Sequence, residues 1–199
     1  MSLALIVVSI IVLVYWVAEP LALLNFELFG RWRPAVAIVE APALSIPLAA
    51  GAVFIAFGLR SLCVDHISKI ETAIFLSGVS VIVADAIKGQ LKFVFGRAWP
   101  VSWKAGTISL ITNGEHGFHF FRSGLESFPS GHAAAVAAIV TVLWIFYPTT
   151  RVLGTMCLLA VSFALVMLDY HFLSDVIAGA FLGISVSIFF VALWRAAAR

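Results

Sequence analysis

Long apolar runs, interrupted by few charges, constrain the fold of this 199-residue chain more than any other feature. A helix needs roughly 20 apolar residues to cross a bilayer, and six segments approach that length. Because backbone polar groups in lipid must be hydrogen-bonded internally, we expect each segment to be a helix. The sequence therefore predicts one all-α domain over residues 1–199, a polytopic membrane protein with six transmembrane helices in one bundle. The segments run from about Leu3 to Leu24, Ala35 to Leu59, Glu71 to Phe95, Gly131 to just before Pro148, Val152 to Leu168, and Asp175 to Trp194.

Composition supports this class and excludes others. The chain is 63% hydrophobic and 11% charged, whereas soluble domains carry about 25% charged residues. A net charge of +2 gives no reason to expect a nucleic-acid partner, so membrane lipids are the expected surroundings. The sequence does not indicate an oligomeric state.

One connection is much longer than the others. About 35 residues, from Gly96 to Ser130, separate the third and fourth predicted helices. Loops longer than about 12–15 residues are usually functional or disordered, and the many aromatic side chains of this one argue against disorder. We therefore predict a folded loop between helices 3 and 4, lying at the membrane interface where aromatic rings are favoured.

Six alternating helices bring particular helix ends to one side of the membrane. The end of the third, the start of the fourth, the end of the fifth and the start of the sixth share that side. The residues at these ends are polar and include charged groups, histidines and a serine, which predicts a functional site there. They are Lys92, Arg97, Ser130, His132, His171 and Asp175.

The distribution of cations indicates an orientation. Arginine and lysine are nearly balanced between the two sides once Arg31, Arg33 and Lys104 are counted on the site side. When the cations that the site would use are set aside, the remaining excess lies on the opposite side, and loops rich in lysine and arginine usually face the cytoplasm. We therefore predict a protein of the bacterial inner (plasma) membrane, with both termini inside and the site on the periplasmic or extracellular face. The cations opposite the site are Arg60, Lys69, Arg151, Arg195 and Arg199.

The sequence Pro129-Ser130-Gly131-His132 is typical of a helix start that binds an anion. Ser130 is a natural N-cap, and Gly131 lets a ligand approach the backbone closely. The free amides and the positive end of the helix dipole attract an anion, with His132 beside it in the first turn. An ordinary N-cap followed by an interfacial histidine is the alternative interpretation.

His171 and Asp175 form the second candidate group. Two side chains four residues apart meet on one face of a helix, and a carboxylate on one imidazole nitrogen leaves the other nitrogen reactive. A polar pair that closes a helix junction is the alternative. Ionisable groups inside a membrane bundle are costly and usually functional, so the pair predicts an oriented nucleophile or base.

Cations near the end of the third helix complete the predicted site. Asp85 lies three residues before Lys88 and is expected to neutralise it, which leaves Lys92 to bind a ligand. Arg97 follows the helix end, and Arg122 lies in the long loop. Lysine and arginine suit phosphate oxygens, although both also extend to lipid head groups.

The histidines of the long loop do not predict a metal site. His116, His119 and Glu115 are all that the loop offers locally, whereas a zinc site takes three or four rigidly held ligands. Hydrogen bonding within the loop is the better interpretation. We predict no metal and no cofactor.

These motifs resemble those of the type 2 phosphatidic acid phosphatases, the PAP2 superfamily of membrane lipid phosphatases. The family has three motifs: a lysine, six residues and Arg-Pro; Pro-Ser-Gly-His; and Ser-Arg, five residues, a histidine, three residues and an aspartate. The second is intact at residues 129–132, and the third is represented by His171 and Asp175. The resemblance covers most of the chain from about residue 70 onward.

The chain departs from the family pattern at two arginines. Trp99 and Pro100 stand where the first motif has Arg-Pro, and Ala164 and Leu165 stand where the third has Ser-Arg. The candidate replacements are Arg97 for the first arginine and Arg122 or Lys88 for the second.

The resemblance implies hydrolysis of a lipid phosphate through a phosphohistidine, without a metal. It implies that His171 attacks phosphorus, that Asp175 holds its imidazole, and that His132 protonates the leaving oxygen and then activates water. The phosphate-binding residues would be Lys92, Arg97, Ser130, Gly131 and Arg122. The candidate substrates are a prenyl diphosphate, phosphatidylglycerol phosphate, phosphatidic acid and a saccharolipid phosphate.

Two other functions are compatible with the same residues. A non-catalytic lipid or ion transporter would use the polar cluster to bind a head group or relay protons. An intramembrane serine hydrolase would use Ser130 as nucleophile and His171 as base.

Overall fold

The fold is helical throughout the part of the chain that the structure describes. The computed structural model describes residue 8 and residues 10–29, 36–64, 66–102 and 107–197. Within these ranges the regular elements are helices, apart from three isolated β-bridges in the long loop. The all-α prediction is confirmed for these residues. Predictions that fall on Leu3, Arg31, Arg33, Ala35, Lys104 and Arg199 lie outside the described residues.

The helices follow the predicted apolar segments closely. A π-helical turn, Val14–Ala18, leads into α1, Glu19–Phe29. The other principal helices are α2, Val36–Ser61; α3, Lys69–Phe95; α4, Gly131–Phe146; α5, Arg151–Met167, preceded by a 3₁₀ turn, Pro148–Thr150; and α6, Leu173–Ala197. A one-turn helix, Leu110–Asn113, lies in the long loop.

Several of these helices could cross a membrane. By length and composition, three stretches of the described residues are long and apolar enough: Lys69–Phe95, Pro148–Met167 and Leu173–Ala197. Ser45–Ser61 and Gly131–Phe146 are apolar but shorter. These helices agree with a membrane protein, while the count of six spans and the detailed structure of the long loop stay predictions.

Local sequence sets both ends of α3. Ser68 and Glu71 form a reciprocal capping box at its start. Gly96 ends the helix in the left-handed region with φ 52°, and its amide donates to the Lys92 carbonyl. A Cβ atom on Gly96 would overlap the carbonyl oxygen of His119. Glycine therefore lets the chain turn tightly beneath the loop and delivers Arg97 into the interior.

Helix α6 packs directly on the backbone of α4 through small residues. Cβ atoms added to Gly179 and Gly183 would overlap the carbonyl oxygens of Ser130 and Ala134, respectively. One turn further on, the Ser187 hydroxyl donates to the α4 backbone. Small residues at a spacing of four allow such close approach between membrane helices. This contact fixes the start of α4 against the start of α6, where the candidate site lies.

We expect Gly179→Ala to destabilise the protein by about 1–3 kcal/mol, because the added methyl must displace backbone rather than a flexible side chain. The matched control is Gly58→Ala in α2, where an added Cβ has no neighbour within 4 Å and helix propensity favours alanine. Thermal unfolding of the purified proteins in detergent measures both. Equal midpoints for the two variants would show that the α4–α6 contact is not this close.

Candidate active site

The start of α4 has the geometry that the sequence predicts. Ser130 is the N-cap, with φ −67° and ψ 120°, and its hydroxyl accepts from the Ala133 amide at 3.4 Å. The Ser130 amide donates to the Asp175 carbonyl oxygen at 3.0 Å. The N-cap prediction is confirmed, and the fully buried Ser130 hydroxyl serves the helix rather than lining the cavity described below.

His171 and Asp175 come together, but not on one helical face. His171 lies in the turn before α6, and its amide donates to the Leu165 carbonyl at 3.1 Å. Its Nδ1 atom is 3.8 Å from Asp175 Oδ2. The prediction that they share one helical face is therefore wrong, because α6 begins only at Leu173. The prediction that the two side chains lie close together is confirmed.

Ser127 joins this pair and was not predicted. Its hydroxyl donates to Asp175 Oδ2 at 2.5 Å and lies 3.4 Å from His171 Nδ1. With Nδ1 facing Ser127 and Asp175, the Nε2 atom of His171 is the nitrogen that faces away from them. A single serine in a long loop gives no sequence signal for this role.

Arg97 is committed to Asp175 and does not line the cavity. Only 1% of the residue is exposed. Its Nη1 atom donates to Asp175 Oδ1 at 2.5 Å and to Ser174 Oγ at 2.7 Å. Its guanidinium also stacks 3.9 Å from the ring centroid of Phe172. The predicted position of Arg97 among phosphate ligands therefore does not match the structure, because the buried carboxylate captures the guanidinium.

A cavity of about 110 Å³ brings together both histidines, a lysine and the start of α4. We call it the inner cavity. It is large enough for small polar ligands and lies beside His171, which is otherwise buried. Its lining is Ile46, Pro47, Asp85, Lys88, Lys92, Trp99, Gly131, His132, Ala135, Tyr170 and His171.

Aromatic rings pack around the two histidines. The ring centroids of His132 and His171 are 6.1 Å apart, with Tyr170 within 5.4 Å of both. Trp99 lies 5.0 Å from His171, and the Lys92 ammonium is 5.2 Å from the indole ring. The residue that stands in place of the family arginine therefore contributes an apolar face to which Lys92 is drawn.

Lys88 is the cation that reaches the start of α4. It pairs with Asp85, as the sequence predicts. A Cβ atom on Gly131 would lie 2.8 Å from Lys88 Cδ and 3.2 Å from its Nζ atom. Glycine at this position therefore makes room for the lysine as well as for a ligand.

The other predicted cations lie elsewhere. Arg122 is half-exposed, pairs with Glu115 at 2.9 Å and lines a neighbouring cavity rather than the inner one. Leu165, at the second family arginine position, is fully buried in an apolar cluster with Tyr170.

Burial also sets the protonation of two groups near the site. It lowers the pKa of the His171 imidazole, and the Asp175 carboxylate opposes this shift only in part. Burial raises the pKa of the nearby Asp169 carboxyl to about 7. Asp169 has φ 50°, a conformation that aspartate tolerates better than most residues. The sequence analysis did not single out this residue.

The loop histidines take part in polar contacts within the protein. His116 Nδ1 lies 2.9 Å from Glu19 Oε2, and His119 Nε2 lies 3.0 Å from Glu115 Oε1. Over the ranges that the structure describes, no group of three or more His, Cys, Asp or Glu side chains is arranged to hold a metal ion.

The chain belongs to the PAP2 superfamily, whose family model matches residues 73–199. It is 31% identical to the lipid A 1-phosphatase of Rhizobium johnstonii over 115 residues, which are 57% of this chain and 43% of that protein. It is 32% identical to the lipid A 1-phosphatase of Rhizobium etli over 101 residues, which are 50% of this chain and 41% of that protein. The matches thus span less than half the length of these curated relatives.

One solved structure is similar to this chain over most of the length of both. It is the transmembrane PAP2-type phosphatidylglycerolphosphate phosphatase from Bacillus subtilis, with 15% identity and a TM-score of 0.47. The similarity covers 96% of this chain and 95% of that one.

Arg97→Ala should destabilise the fold by about 3–5 kcal/mol, because it leaves Asp175 buried and without its cation. Arg60→Ala is the control, since Arg60 forms an exposed ion pair and such pairs contribute about 0–1 kcal/mol. Chemical denaturation in detergent measures both. A loss for Arg97→Ala no larger than that for Arg60→Ala would contradict the role of the buried pair.

The His171 imidazole should titrate below the ordinary histidine value of about 6.5, because burial disfavours its charged form. Its neutral form, which is the nucleophilic one, should therefore persist into mildly acidic solution. NMR of ¹³C-labelled histidine in the free protein measures the midpoint, with His171→Gln to assign the signal. A midpoint at or above 6.5 would be inconsistent with this environment.

Proposed function

We propose that this protein is a membrane lipid phosphatase that hydrolyses a phosphate ester through a phosphohistidine on His171. The observation that carries the proposal is the inner cavity, where His171, His132 and Lys92 face one small space at the start of α4. Membership of the PAP2 superfamily supports the same reaction class. A reaction of this kind depends mainly on positioning and on electrostatic stabilisation of the phosphoryl group.

In the first step, His171 Nε2 attacks phosphorus as the bond to the leaving oxygen breaks. Asp175 and Ser127 orient the ring through its Nδ1 side, at 3.8 and 3.4 Å, and the carboxylate stabilises the positive charge that develops. His132 donates a proton to the departing lipid oxygen. The product is a lipid alcohol and a phosphorylated His171.

In the second step, water attacks the phosphohistidine. His132, now neutral, accepts a proton from the water as its oxygen bonds to phosphorus and the nitrogen–phosphorus bond breaks. Inorganic phosphate leaves and both imidazoles return to their starting states. Lys92, Lys88 and the amides at Gly131 stabilise the phosphoryl oxygens in both steps, and no step requires a metal.

Arg97 acts in this scheme as a positioning residue. Its ion pair holds the Asp175 carboxylate beside the His171 ring. Arg122 lines the neighbouring cavity rather than the inner one and has no step in this scheme. Ser130 contributes by capping α4, which aims the helix start at the phosphate.

The substrate class follows from the membrane setting and the relatives. A phosphate at the helix ends can react while its acyl or prenyl chains stay in the bilayer. Of the four candidate substrates, relatives named lipid A 1-phosphatase favour a saccharolipid phosphate. The cations at the opposite helix ends, Arg60, Lys69, Arg151 and Arg195, support a site on the periplasmic face of a bacterial inner membrane.

We expect His171→Ala to lower phosphate release from lipid phosphates at least about 10³-fold, since the nucleophile is lost. The assay uses purified protein, a panel of lipid mono- and diphosphates, and a chelator to remove metals. Acid-labile ³²P should be trapped on the parent and not on His171→Ala. Release by His171→Ala close to that of the parent would exclude the phosphohistidine route.

Ser130→Ala separates this reaction from serine hydrolysis. Loss of the N-cap should cost about 0.5–2 kcal/mol of stability. It should lower the rate of phosphate release only as far as it displaces the start of α4. A nucleophilic serine would instead be indispensable, so loss of all activity in a stably folded Ser130→Ala protein would favour the hydrolase. Transport that survives in His171→Ala, without phosphate release from the parent, would favour a transporter.

A further inference from the structure

A second cavity adjoins the inner cavity and has no role in the chemistry described above. It has a volume of about 290 Å³, and we call it the outer compartment. Asp85, Lys88 and Lys92 line both spaces, so a ligand with its phosphate in the inner cavity has room to extend into the outer one. The remaining lining residues are Gly89, Phe93, Arg122, Ser123 and Glu126.

The fold holds Glu126 at this position. The Ser127 amide donates to the Arg97 carbonyl at 3.0 Å, and Glu126 forms a β-bridge with Arg97. Ser127 points inward and bonds Asp175, while its neighbour Glu126 is exposed and lines the outer compartment. The same short backbone pairing therefore positions both the Ser127 hydroxyl, which bonds Asp175, and the neighbouring Glu126 side chain.

The charges of the outer compartment are mixed. Arg122 pairs with Glu115 at 2.9 Å, and Lys88 pairs with Asp85. A second phosphate group placed here would meet the carboxylates of Glu126 and Asp85 as well as the ammonium group of Lys92, so repulsion would offset part of the attraction. An alkyl or prenyl chain placed here would desolvate charged groups without satisfying their hydrogen bonds.

Hydroxyl groups fit the same lining. A hydroxyl donates to carboxylates such as Glu126 and Asp85 and accepts from the ammonium or guanidinium groups of Lys88 and Arg122. The Ser123 side chain adds a group that both donates and accepts. Phe93 supplies an aromatic surface beside them, so a compact polar unit with several hydroxyls matches both the space and the chemistry.

We propose that the outer compartment binds a hydroxylated head group, a sugar or glycerol unit, that carries the scissile phosphate. The inference rests on the proposed function, and it narrows the substrate class. The enzyme prefers phosphate esters of such head groups to phosphatidic acid, whose phosphate-bearing glycerol has no free hydroxyl.

The test compares kcat/KM for a glycolipid phosphate and for phosphatidic acid of matched acyl length, with the purified full chain in detergent. The parent should prefer the glycolipid phosphate at least tenfold, and Glu126→Gln should reduce that preference about tenfold, the value of one hydrogen bond to a charged group. Glu126→Lys should raise the relative use of a prenyl diphosphate, because it removes a repulsive charge. Gln90→Ala is the matched control, since Gln90 is exposed on α3 and lines neither cavity.

Binding to the non-reacting His171→Ala protein gives a second readout. Tighter binding of the glycolipid phosphate than of phosphatidic acid, weakened by Glu126→Gln in the same background, supports the compartment. Equal binding of the two lipids, or a preference that Glu126→Gln leaves unchanged, overturns it. Selective binding without phosphate release from the parent would overturn the proposed function and leave the binding role of the compartment standing.

Discussion

The rest of the site depends on the ion pair between Arg97 and Asp175. A carboxylate that is fully buried costs several kcal/mol unless it is paired and hydrogen-bonded. Asp175 meets this condition by accepting hydrogen bonds from Arg97 and Ser127, while its backbone carbonyl accepts from Ser130. One residue thereby ties the loop after α3, the start of α4 and the start of α6 together. The same carboxylate lies beside His171, so the fold and the proposed reaction share this contact.

The candidate site has few cations for the phosphate binding that we propose. Trp99 and Leu165 replace two arginines of the family pattern, and the structure uses Arg97 to neutralise Asp175. The inner cavity keeps Lys92 and the Asp85-paired Lys88, with the amides at the start of α4 as the third source of positive potential. A lower positive charge suits a monophosphate in the inner cavity and an uncharged, hydroxylated group in the outer compartment.

The sequence was enough to find candidate residues of distinctive chemical type. It was not enough to find residues whose role depends on which side chains they contact in the folded protein. His132, His171, Asp175 and the Ser130 cap were recognisable as candidates because ionisable side chains and a capping serine stand out among apolar helices. Ser127 was not recognisable, since a serine in a loop is common. The role of Arg97 was misjudged because a sequence does not say whether an arginine faces a ligand or a buried carboxylate.

The sequence by itself determined the helices, their approximate ends and the side on which the reactive groups gather. Apolar length and the need to satisfy every backbone group in lipid leave few alternatives for such a chain. Only the tertiary structure decided which charges cancel and which face a cavity. Gly179 and Gly183 bring α6 onto α4 closely enough to seal Asp175 from solvent, and a buried charge must take whichever cation lies within reach. That choice depends on distances of a few ångströms between residues far apart in sequence, which neither composition nor spacing records.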